Sequence, residues 1–321
     1  MMKSGAIDLK PSANIQIDTH LDAPDLREGH DLYAVLQSAL KSRAADQLLN
    51  TNPRETYWPA AHFGLNRAAI FRDASPQEQE RILAGCSCDV VAESYFIEKS
   101  GMYFAAKMAL LAESPQERML YSLFAADEAV HFNWIARYAT SESVAGFADN
   151  AFIKLLDEIL QSADKPALTC IVQVVLEGWG ISHYHALMRD CLDADLRATF
   201  EKIIKDEARH HASGVILFNA QPPTANQQTT IIDALRRLLL MVQVGPQAVV
   251  AQIECVMGHL SRAQRAQVFA ELDCERETAK KLEIIKSLIR STVFADGILD
   301  ALEREGAFRA YSAIECAAVR G

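Results

Sequence analysis

The chain has 321 residues, half of them hydrophobic, with a formal net charge of −10 and a pI near 5.4. That length buries one substantial core, so disorder is not the default. The acidic balance, with no Lys/Arg cluster against it, excludes a nucleic-acid partner. No apolar run approaches bilayer length, and Met1 to Ser12 lacks a signal-peptide core, so a soluble, cytoplasmic protein with no membrane partner is expected. The seven cysteines (Cys86, Cys88, Cys170, Cys191, Cys255, Cys274, Cys316) form no Cys-x-x-Cys pair and read as reduced, mostly structural thiols.

In chain order, residues 1–75 form a lead-in. Pro11 and Pro24 mark an irregular start, a helix is predicted over about 31–50, and the segment Asn52 to Arg72 carries Tyr57, Trp58, Phe63 and Phe71. That segment is too apolar for a free linker, and its aromatics can pack on the fold or roof a pocket. Residues 76–221 read as the core. Ser75-Pro76 opens a helix to about Glu113, and Ser114-Pro115 opens a second to about Thr140. A shorter helix follows over about 144–161, then Lys165-Pro166 opens a third long helix to about Asp190, and Asp193 a fourth ending near Gln221. Residues 222–321 read as flanking helices on the same domain: about 224–258 with a break at Gly245-Pro246, about 262–290, and about 291–319. Almost nothing alternates with period two, so the fold class is all-α.

The chemistry concentrates in two of the long helices. The second contains Glu128-x-x-His131 and the fourth Glu207-x-x-His210, each preceded by an Asp (Asp127, Asp206). A three-residue step holds both side chains on one helix face. A further Glu precedes each pair by 30 residues, Glu98 and Glu177, and the whole constellation repeats at 79 residues. Each of these glutamates has a glycine three residues on, Gly101 and Gly180, so the agreement extends beyond the candidate ligands. All four glutamates share their faces with apolar residues. Burying four ionised carboxylates demands compensation, and those faces carry too few basic residues to supply it. Two divalent first-row cations of the iron or manganese type, held by four carboxylates and two neutral imidazoles, meet the demand.

This arrangement resembles the ferritin-like di-iron family, in which one Glu from each of two helices and a Glu-x-x-His from each of the other two build the site. The resemblance covers residues 76 to 220. It implies a ferritin-like four-helix bundle with additional flanking helices, and it implies Glu98, Glu128, His131, Glu177, Glu207 and His210 as both metal ligands and catalytic residues. It further implies that Asp127 and Asp206 orient the two ligand histidines, with the pairing left open, and that Arg209 pairs with an outer carboxylate. The first copy has Val130 where the second has Arg209, so the outer support is not expected to be symmetric.

The competing readings are bland ones. The six residues can lie on solvated helix faces, but the duplicated spacing disfavours this. Glu93 has no counterpart in the second repeat and is expected against solvent or a neighbouring helix. His183, His185 and His211 are expected at the surface or outside the ligand set, and Tyr95, Tyr121, Trp134, Trp179 and Tyr184 are more simply core.

By resemblance, the implied function is a non-haem di-iron oxygenase or oxidase. It would use O2 as co-substrate to oxidise a small organic substrate by hydroxylation, desaturation, N-oxygenation or aldehyde-type cleavage. Two Fe ions are the implied cofactor, a Mn/Fe pair being equally compatible with these ligands. An external electron donor, a reductase or ferredoxin, is the implied partner, and a homodimer the expected assembly. A tyrosyl-radical subunit of ribonucleotide reductase is disfavoured by Ile135, four residues after His131. A rubrerythrin-like peroxidase is disfavoured by the missing Cys-x-x-Cys. The alternatives retained are a ferroxidase or metal-binding protein without organic substrate, and a purely structural helical module.

Overall fold

A computed structural model describes Leu40, residues 54–147 and residues 150–319. The helix predicted over 31–50 lies outside the described residues apart from Leu40, which is helical and buried. Among the described residues the chain is helical throughout, without a strand.

Helix α1 (Pro76–Leu111) starts where Ser75 and Glu78 exchange bonds in a capping box, the Ser75 N–H donating to the Glu78 carboxylate at 2.8 Å, with Pro76 in the first turn. It ends at the extended Ala112, and Ser114 caps α2 (Pro115–Ile135) by accepting the Glu117 N–H at 3.1 Å. The two pack along their length as a hairpin. The sequence carries α2 to Thr140, but the helix stops at Ile135. Thr140 instead exchanges backbone-to-hydroxyl bonds of 3.1 Å with Ser143 and opens α3 (Ser141–Phe147), the competition that Ser and Thr offer a continuing helix. Helix α4 (Ala151–Ser162) follows, and the buried Lys107 ammonium caps its end, donating to the carbonyls of Leu160, Gln161 and Ala163 at 2.7, 3.1 and 3.0 Å.

The third long helix, α5, runs unbroken through an α turn (Lys165–Leu168), a π-helical stretch (Thr169–Leu176) and a second α segment (Glu177–Asp190). Asp193 then caps α6 (Ala194–Ala220) by accepting the N–H groups of Asp195 and Leu196. This second hairpin faces the first across α2 and α6.

The break expected at Gly245-Pro246 separates α7 (Ala225–Gln243) from α8 (Gln247–Met257), with Gly245 at φ 76°. The single helix expected over 262–290 is two: α9 (Arg262–Glu271) and α10 (Cys274–Arg290), parted at Asp273 with φ 57°, a conformation Asp tolerates better than most residues. The stretch 291–319 likewise divides into α11 (Ala295–Arg304) and α12 (Ala313–Ala318) around Gly306 at φ 68°. Helices α7, α10 and α11 share one apolar core with the hairpins. The aromatic segment packs as its composition requires: Trp58 is fully buried, its indole N–H donating to the Leu187 carbonyl at 2.9 Å, beside Phe200 and Tyr184. No single described helix is long and apolar enough to cross a membrane.

Candidate metal centre

The two hairpins bring all six predicted residues together. Glu98, Glu128, His131 and Glu207 form one group, and Glu128, Glu177, Glu207 and His210 a second; within each, one donor atom per residue lies within 4.8 Å of every other. Glu128 and Glu207 belong to both groups, so the two pockets share their central carboxylates. Most of the cluster is buried: Glu98 and His210 are 1 % exposed and His131 is fully buried, whereas Glu177 is only partly covered.

The imidazoles point the same way. His131 turns Nδ1 to Glu98, Glu207 and Glu128 at 3.3, 3.5 and 3.8 Å, and His210 turns Nδ1 to Glu128 and Glu207 at 3.0 and 3.7 Å. Each Nε2 faces away from the cluster. That of His131 hydrogen-bonds Asp206 at 3.1 Å, whereas that of His210 lies 3.5 Å from Asp127 without a hydrogen bond, so an Asp stands behind the histidine of the other motif in both cases but engages it only at His131. A carboxylate behind the outer nitrogen fixes the tautomer that leaves the inner lone pair free. Arg209 pairs with Asp206 and lies 3.8 Å from Asp127, tying both outer carboxylates together as the Asp-Glu-x-Arg-His spacing suggests.

Glu177 owes its position to the π-helical stretch. A π turn inserts an extra residue per turn and rotates everything after it, so an ideal α-helix over these residues would aim Glu177 elsewhere. Its lone buried polar group other than Thr169 is Gln173, whose amide donates to the His210 carbonyl and the Ser213 hydroxyl, both at 2.8 Å, while its oxygen accepts from Tyr121 at 2.9 Å. These bonds anchor the stretch to α6 and α2.

Gly101 makes room for a shared carboxylate, since a Cβ there would collide with that of Glu128. Its counterpart Gly180 has nothing within 4 Å, so the matched glycines do not play matched roles. Tyr184, read from sequence as core, donates its buried hydroxyl to Glu98. Its place two helical turns beyond Glu177 on the same face was the available signal.

Electrostatics follows from this crowding. Burial raises Glu98 to about 7 and holds Glu177 well above the carboxylate range, whereas His131 and His210 overcome burial at Glu207 and lower it to about 2. Burial opposes protonation of the imidazoles, but Asp206, Glu128, Glu207 and Glu98 raise His131, and Asp127, Glu128 and Glu207 raise His210 to about 12. Among the described residues none of the four glutamates pairs with a Lys or Arg. Protons are thus the counterions available within the cluster, and divalent cations would displace them. The residues fit such ions on a second count: buried inside the cluster, His131 Nδ1 and Glu177 Oε2 have no hydrogen-bond partner.

The rival residues stand apart. Glu93, partly covered, has its carboxyl raised by burial and faces Lys281 and Asp89. His183 packs on Tyr184 outside both groups, His211 turns to the Gln173 carbonyl at 3.4 Å, and His185 borders an open groove of about 520 Å³ beside Arg189 and Lys205. No family model, curated protein or solved structure matches this chain.

Proposed function

We propose that this chain is a ferritin-like, carboxylate-bridged di-metal oxygenase or oxidase that uses O2 to oxidise a small organic molecule. The observation that carries the reading is the pair of buried donor groups sharing Glu128 and Glu207, each closed by a histidine with an aspartate behind it. Glu98, Glu128, His131 and Glu207 would hold one ion and Glu128, Glu177, Glu207 and His210 the other. Four carboxylates and two imidazoles favour iron, or a manganese and iron pair. Bound iron would supply the electrons and open coordination positions that O2 chemistry requires.

The chain's own residues set the conditions. Asp206 holds the outer nitrogen of His131 and Asp127 lies behind that of His210, so the inner nitrogens of both would be available to the ions. Tyr184 holds Glu98 by a hydrogen bond and keeps a proton next to the centre. Phe124 packs on the His210 ring and Phe200 on that of Tyr184, apolar neighbours that would help keep water from the ions, as oxidation of an organic substrate requires. Reducing equivalents would come from a separate reductase or ferredoxin.

The test is metal analysis of anaerobically iron-loaded protein, followed by rapid optical spectroscopy on exposure to O2. Two irons per chain, one for each donor group, and a transient absorption on O2 addition support the proposal. Absence of stoichiometric metal overturns it. Iron oxidation that proceeds only to mineral, with no substrate turned over, replaces the oxygenase with a ferroxidase.

A further inference from the structure

The groove that His185 borders contains none of the six candidate ligands, and its charge is unlike that of the chain as a whole. It runs along the seam of the second hairpin, encloses about 520 Å³ and has a mostly apolar wall. His185, Met188 and Arg189 line it from the last turns of α5, and Arg197, Glu201, Ile204 and Lys205 from the first turns of α6. Both sets recur at steps of three and four, so each falls on one helix face. A volume of this order is that of a small-molecule site.

Arg189, Arg197 and Lys205 line the groove against Glu201 alone, whereas the whole chain has 32 Lys and Arg against 42 Asp and Glu. The three cations are not equally available. Arg189 is held by both oxygens of Asp190 at 2.7 Å, and Lys205 by Glu201 at 3.0 Å. Arg197 has no carboxylate partner among the described residues, and one of its N–H groups donates to the carbonyl of Cys191, at the turn between the two helices. A guanidinium carries five N–H donors, so this bond positions the side chain and leaves others for a ligand. Met188 and Ile204 supply apolar surface in the same groove.

We propose that this groove binds a small organic anion with an apolar body, of the fatty-carboxylate class, with its carboxylate on Arg197 and its chain along Met188 and Ile204. Arginine meets a carboxylate with two parallel N–H···O bonds, a match that a lysine cannot make. The chain of the ligand gains by leaving water for the apolar wall. Neither part suffices alone. An inorganic anion leaves Met188 and Ile204 in water, and a neutral chain leaves the Arg197 charge unmatched. The site needs no metal ion, so it stands or falls separately from the di-metal reading.

The experiment titrates the metal-free full chain with octanoate, octanol and acetate, by calorimetry and by NMR of methyl-labelled methionine and isoleucine. The expected result is saturable binding of a single octanoate, with shifts at the Met188 and Ile204 methyls, and binding of octanol and acetate weaker by roughly 10-fold or more. Arg197→Gln should weaken octanoate by roughly 10-fold with helicity unchanged, since the side chain is exposed. Arg189→Gln, which removes a guanidinium already paired with Asp190, should change it by less than about 2-fold. Absence of saturable binding, methyl shifts confined to other residues, octanol bound as tightly as octanoate, or Arg197→Gln binding like the unmodified chain overturns the proposal. The three titrations of the unmodified chain decide the matter even if a variant does not fold.

Discussion

Gly101 and Gly180 look equivalent in the sequence and should respond oppositely to the same substitution. Alanine at either position favours the helix by about 1 kcal/mol. At Gly180 nothing opposes that gain, because no atom lies within 4 Å of the added Cβ. At Gly101 the methyl displaces the Glu128 carboxylate. Moving that side chain off its rotamer costs about 1 kcal/mol, and losing its 3.0 Å contact with His210 about 2 kcal/mol more. The net for metal-free Gly101→Ala is a loss of about 2 kcal/mol, a Tm lower by about 4 °C, against a rise of about 2 °C for Gly180→Ala. Because Glu128 belongs to both donor groups, Gly101→Ala should also cut stoichiometric Fe(II) or Mn(II) binding while Gly180→Ala leaves it intact. Thermal denaturation of the metal-free proteins and anaerobic metal titration read the two effects. Equal Tm gains with equal metal binding would refute the placement of Glu128 between the groups.

Asp206→Asn and Asp127→Asn should each weaken metal binding by about 10- to 100-fold with little change in helicity, measured by competition titration against a chelator. Lys107→Met should lower stability by about 3 kcal/mol, seen in urea unfolding, because three carbonyls at the end of α4 lose their donor in a buried site. His183, which faces Lys281 and His62, is kept neutral by burial and falls to about 3, below its ordinary value of 6.5. The unfolded chain therefore binds the extra proton between those values, and stability falls as pH drops through that window, by up to about 1.4 kcal/mol per pH unit. His183→Gln should flatten this acid limb in unfolding curves taken between pH 7 and 4; an unchanged slope would discount burial of His183.

The helix starts were legible because they are chemical. Ser75-Pro76, Ser114-Pro115, Lys165-Pro166 and Asp193 each announce a first turn, and all four long helices begin within a residue of them. Helix ends were less so. Nothing in the periodicity of 262–290 signals that Asp273 adopts φ 57°, since the apolar spacing continues across the break. The six site residues were legible from their duplicated spacing, which survives any local irregularity. The π-helical stretch was not, because Thr169 to Leu176 is almost wholly apolar and shows no face from which its pitch could be read. The central Gln173 is the exception, and its three bonds are what a single buried amide in such a run must find.

The duplication also explains where the two halves part company. At the 79-residue offset Tyr184 corresponds to Ala105, Gln173 to Ser94 and Arg209 to Val130. Glu98 consequently receives a phenol hydroxyl from the opposite hairpin, whereas the position that could serve Glu177 in the same way carries only a methyl. One oxygen of Glu177 is left without a partner and its side chain is less covered, while Glu98 is sealed in. The repeat thus keeps the residues that must converge and varies those behind them. It builds a symmetric donor set with one side braced, where the Tyr184 hydroxyl meets Glu98, and one side, at Glu177, left without such a brace.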